Sequence, residues 1–166
     1  YRANELRDYY NELTLRFKKD WNVEFRAYND GIAYRFVSRS KKPFNVVDET
    51  VDYRFPSDMV ASVPYVKAGK DGDYESHSFE NTYTTDRLSK LNKKRLMFLP
   101  LVVDAGEGVK ICITESGLEN YPGLYLSAAE GEKRLTGQFA PYPKKTVQGG
   151  HNQLQMLVKE HEAYIA

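Results

Sequence analysis

Paired cysteines, clustered histidines, long apolar runs and net charge are all missing from this sequence. The single cysteine, Cys112, cannot form an internal disulfide. It lies in an apolar, strand-like run and reads as a small core residue rather than a nucleophile. His77, His151 and His161 are scattered, so no zinc-ligand spacing exists. There is no phosphate-binding glycine loop and nothing that arranges a Ser-His-Asp nucleophile. No stretch is long and apolar enough to span a bilayer. The formal net charge is +1, so no field calls for nucleic acid or an anionic membrane surface. The small basic cluster at 90–95 (KLNKKR) reads as a solvated face. The chain opens Tyr1-Arg2-Ala3, with neither an initiating methionine nor a secretory leader. It is therefore expected to be a processed piece or part of a longer protein.

What is present is strand chemistry. The 166 residues suffice for one domain with a core, and 1–166 reads as a single domain without repeats or linkers. The 13 tyrosines favour strands and leave polar aromatic tips for polar ligands such as sugars. From Leu13 the period is two. Leu13, Leu15 and Phe17 alternate with Thr14 and Arg16. Trp21, Val23, Phe25 and Ala27 alternate with Asn22, Glu24 and Arg26, and Ile32, Tyr34 and Phe36 continue the pattern beyond Asn29-Asp30-Gly31. That tripeptide is a tight-turn signal because glycine accepts positive φ, so a hairpin of 21–28 with 32–38 is predicted.

Further strands are expected at 50–55, at 59–66 (an edge, given Pro64), within 95–103, at 109–113, at 124–126 and at 135–139. Residues 67–74 (KAGKDGDY) and 140–150 (APYPKKTVQGG) read as loops. The tail fits a helix through Leu154, Leu157, Val158 and His161, or equally a strand through Leu154, Met156 and Val158, and the rest of the chain favours strand. Many short strands between turn signals predict an all-β, antiparallel β-sandwich.

Carboxylates are plentiful, so position has to single one out. Asp48, Glu49, Asp71 and Asp73 read as solubilising turn residues, and Asp71-Gly72-Asp73 lacks the spacing and distal glutamate of an EF-hand. Glu115 differs because it ends the run Val109-Lys110-Ile111-Cys112-Ile113. Ser116-Gly117 and then Tyr121-Pro122-Gly123 turn the chain away from it. A strand end is a rigid mount, and the expectation is an exposed rim from which Glu115 projects. The plainer alternative is that Glu115 is a turn or cap acceptor.

Three segments resemble glycoside hydrolase family 97, the α-glucosidases and α-galactosidases of Bacteroides-type bacteria, in that family's amino-terminal non-catalytic domain. They are Asn29-Asp30-Gly31-Ile32-Ala33-Tyr34-Arg35-Phe36, then Ile113-Thr114-Glu115 with Leu118 and Tyr121-Pro122-Gly123, and the closing Glu162-Ala163-Tyr164-Ile165-Ala166. The resemblance implies a galactose-mutarotase-like super-sandwich, of which this chain is an incomplete piece, packed against a catalytic TIM barrel absent from this chain. It implies a parent that hydrolyses terminal α-linked glucose or galactose in oligosaccharides, in the periplasm or at the cell surface. It implies that this domain buttresses the barrel and that the glutamate of the motif, Glu115, ligates an active-site calcium. The catalytic carboxylate pair would belong to the barrel, so no catalytic residue is expected here and the isolated chain should be inactive. The alternatives are a stand-alone carbohydrate-binding module using tyrosines as stacking platforms, or a purely structural sandwich.

Overall fold

The computed structural model describes residues 7–66, 79–129, 133–148, 154–156 and 160–166. The loop expected at 67–74, with Asp71 and Asp73, and His77 and His151 lie outside them. Twelve strands are described, β1 to β12 in chain order, with one short 3₁₀ turn at Leu88–Lys90, and the sheets are antiparallel throughout. The fold is all-β, as the period-two patterning predicts. The chain forms two compact units, Tyr1–Phe44 and Asn45–Ala166.

The first unit is a three-stranded meander of β1 (Asn11–Arg16), β2 (Trp21–Ala27) and β3 (Ile32–Ser38). Pairing Leu13 with Phe25, and Phe25 with Tyr34, puts the large apolar side chains on one face. The opposite face carries cross-strand ion pairs, Arg26–Glu12 at 3.0 Å and Arg35–Glu24 at 2.7 Å. The predicted hairpin is present. Its connection, however, is a four-residue loop closed by the Tyr28 N–H on the Gly31 carbonyl at 2.8 Å, and Gly31 does not take a left-handed φ. Left-handed residues occur instead in the preceding turn, at Lys19 and Asp20.

The second unit is a sandwich. One sheet has the order β6-β5-β7-β8, from Thr84–Arg87, Val60–Val63, Leu101–Gly106 and Val109–Ile113. The other has the order β4-β10-β9, from Asp52–Arg54, Arg134–Phe139 and Leu124–Ala128. Ala61, Val63, Leu101 and Val103 of the first sheet share one buried core with Leu126, Ala128 and Leu135 of the second. Met97 joins the sheets, exchanging backbone hydrogen bonds with Leu126 at 2.8 and 3.0 Å and bridging to Tyr65. Burying these side chains supplies the main driving force, about 1.5–3 kcal/mol for each large one.

Several expectations are corrected here. Pro64 does not mark an edge. β5 is interior to its sheet, and Pro64 lies fully buried one residue beyond the strand, where its missing N–H removes no ladder bond. Cys112 is exposed, because β8 is the edge strand and shows its outer face to solvent. The 140–150 segment is not all loop: β11 (Thr146–Gln148) pairs with β12 (Leu154–Met156), so the tail is strand at 154–156, while Leu157 and Val158 lie outside the described residues.

Candidate functional site

β8 ends at buried Ile113, and Glu115 follows two residues later at the mouth of a loop leading to β9. The loop reverses through left-handed Gly117 (φ 67°) and Asn120 (φ 55°), and the Glu119 N–H bonds the Gly117 carbonyl at 2.9 Å. Glycine and asparagine are the residue types that take this conformation at least cost. Tyr121, Pro122 and Gly123 then feed the chain into β9.

Glu115 does not project freely from an exposed rim. It is half-buried, and both its carboxylate oxygens accept from the Leu124 N–H, each at 3.0 Å. Its side chain thus closes the neck of its own loop, which is the behaviour of a turn acceptor. A Cβ at Gly123 would meet Glu115 Oε1 at 3.4 Å, an ordinary van der Waals contact. Burial pushes the Glu115 carboxyl above its ordinary range. The Leu124 N–H pulls the other way, and the negative charge of Glu49 adds to the rise.

Glu49, which as sequence reads as a solubilising turn residue, belongs to this site. It is half-buried and accepts from the Tyr121 hydroxyl at 2.8 Å. Burial, and then this bond to a carboxylate, hold the Tyr121 phenol well above the usual tyrosine range. The Tyr121 ring meets Phe139 of β10 edge-on, with centroids 6.0 Å apart. Two residues after Glu49, Val51 accepts the Gly137 N–H of β10 at 2.8 Å and packs onto the bare Gly137 Cα. Both Tyr121 and Glu49 are therefore anchored to one strand. The pairing is invisible to local patterns because 72 residues separate its partners. Only the Tyr-Pro-Gly turn offered a signal. Glu119, in the same loop, is exposed.

Glu49 and Glu115 bring two carboxylates to one end of the sandwich, the hard oxygen donors that calcium takes. Among the described residues, no group of three or more His, Cys, Asp or Glu could hold a metal ion. Two carboxylates match calcium in donor type but fall short of the roughly six to eight oxygens that a calcium shell takes.

The sequence profile described as glycosyl-hydrolase 97 N-terminal matches residues 1–160. A relative in Bacteroides thetaiotaomicron, named a retaining alpha-galactosidase, is 80% identical over 169 residues. That alignment takes in 100% of this chain and 26% of the relative, so the chain spans only that minor share of the relative's length.

Proposed function

Since the chain belongs to the glycosyl-hydrolase 97 N-terminal family, we propose that it is the non-catalytic amino-terminal domain of a glycoside hydrolase. The parent removes terminal α-linked galactose from oligosaccharides and retains anomeric configuration, in the periplasm or at the cell surface. One observation carries this reading: 80% identity across the whole chain to a protein named a retaining alpha-galactosidase. A retaining mechanism uses two carboxyl groups about 5–5.5 Å apart, and these are assigned to the catalytic barrel that this domain buttresses.

Glu115 is proposed to lend its carboxylate to a calcium ion completed by the barrel. Support comes from its mount at the end of β8 and from its charge state. Burial and Glu49 both disfavour the ionised form, and a divalent cation relieves both. The Leu124 N–H occupies part of a carboxylate that offers about four lone-pair sites, so acceptor capacity remains. Bound calcium supplies positive charge that fixes neighbouring carboxylates and polarises oxygen atoms.

The test uses the full-length parent and two variants. Glu115→Gln keeps the shape and removes the charge, so calcium affinity and calcium-dependent galactosidase activity are expected to fall about tenfold or more. Glu119→Gln is expected to titrate like wild type. Wild-type calcium binding by Glu115→Gln leaves Glu115 as the turn acceptor its hydrogen bonds describe.

A further inference from the structure

We infer that Tyr121 is a positioning residue for Glu115, acting through its hydroxyl bond to Glu49. The inference rests on the reading of Glu115 as a calcium ligand, and the argument begins with the loop. Residues 114–123 carry two left-handed residues and no strand pairing, so tethers must define the loop's position. One tether is the Glu115 carboxylate on the Leu124 N–H. That tether is made by the ligand itself. A carboxylate that also faces a cation shares its oxygens between the Leu124 N–H and the ion, so this tether does not hold the loop independently of the ligand.

The second tether does not depend on Glu115. The Tyr121 hydroxyl reaches Glu49 at 2.8 Å, and its ring rests on Phe139. The far end is equally fixed, because Val51 is locked to Gly137 on the same strand. The clasp therefore ties the 114–123 loop to the 48–51 segment through a shared base, β10. It also holds the Glu49 carboxylate, whose charge is felt at Glu115, on the loop side of that base. With the clasp closed, Glu115 is presented at one place. With it open, the carboxylate moves with the loop, and ordering it again opposes cation binding.

The experiment uses the full-length parent, with calcium chloride as the probe. Affinity is read by calorimetric titration, and thermal midpoints are read with and without calcium. Tyr121→Phe keeps the ring on Phe139 and removes only the hydroxyl. The expected result is a calcium Kd raised about tenfold, with a smaller calcium-induced rise in midpoint and little change in the calcium-free midpoint. Glu49→Ala cuts the clasp from the other side, so its affinity loss should not add to that of Tyr121→Phe in the double variant. Wild-type calcium affinity in Tyr121→Phe, equal midpoint losses with and without calcium, or additive losses in the double variant each overturn the inference. If Glu115→Gln loses affinity and Tyr121→Phe does not, the positioning role alone falls. If Glu115→Gln binds like wild type, the calcium reading falls and takes this inference with it.

Discussion

A Cβ built on Gly137 lies 2.6 Å from Val51 Cβ and 3.0 Å from Leu124 Cδ1, closer than carbon atoms approach without displacement. The Val51 neighbours are a β-carbon and its methyl, with no flexible end to swing aside. Gly137→Ala must therefore push the 49–51 segment off β10, and a loss of about 1–3 kcal/mol is expected in urea denaturation. Asp58 gives a second residue-scale test. Its carboxylate accepts both the Ser89 N–H (2.9 Å) and the Ser89 hydroxyl (2.8 Å), and these bonds hold it below the ordinary aspartate value. A depressed carboxyl stabilises the fold above the unfolded-state value of 3.8, and that contribution is lost as pH falls through the lower folded value. Asp58→Asn is expected to be less stable than wild type at neutral pH, with the gap closing below 3.8. A gap independent of pH would show that the charge on Asp58 contributes nothing.

At the scale of elements, the β7–β8 turn is the most constrained. Gly106, Glu107 and Gly108 take φ of 85°, 51° and 80° in succession. Only Glu107 meets the left-handed penalty, about 1–2 kcal/mol for an ordinary residue. Glu107→Asn is expected to raise stability by up to about 1 kcal/mol, and Gly108→Ala to lower it by about 1 kcal/mol or more, both by thermal denaturation. This turn was legible because glycines flank it between two apolar runs. β1, β2 and β3 were legible because their side-chain alternation is written locally, and β8 because its short apolar run lies between turns. β6 (Thr84–Arg87) was missed because its four residues are exposed and polar, and its place comes from pairing with β5. The outward face of Cys112 was missed because an apolar run does not reveal whether a strand is interior or at an edge. The site was half legible. The position of Glu115 followed from the strand before it. The Glu49–Tyr121 bond and the close Val51–Gly137 approach depend on contacts between segments far apart in the chain.

Over the whole molecule, buried apolar surface is divided unevenly between the two units. Leu101, Val103, Leu126 and Leu135 are at 0% exposure in the second unit, whereas Asn22 is the one buried position among the described residues of the first. On the apolar face of the first unit, Leu13, Ile32 and Phe36 are 57%, 80% and 51% exposed. Strands β2, β7 and β10 each lie inside a sheet with a hydrogen-bonded neighbour on both sides, so their backbone bonding is equivalent. What differs is burial. A three-stranded sheet without a buried apolar face is marginal in water, and each large apolar side chain left exposed forgoes about 1.5–3 kcal/mol. Opening of β2 is then expected to lie well below the global unfolding free energy, and opening of β7 and β10 near it. Two such side chains correspond to on the order of a hundredfold or more in exchange rate, at tenfold per 1.4 kcal/mol. Native-state amide exchange on the isolated chain should therefore show β2 exchanging at least that much faster than β7 and β10. Equal protection of all three would show that the apolar face of the first sheet is covered in solution. The same measurement on the full-length parent would report whether the rest of that protein slows exchange in β2.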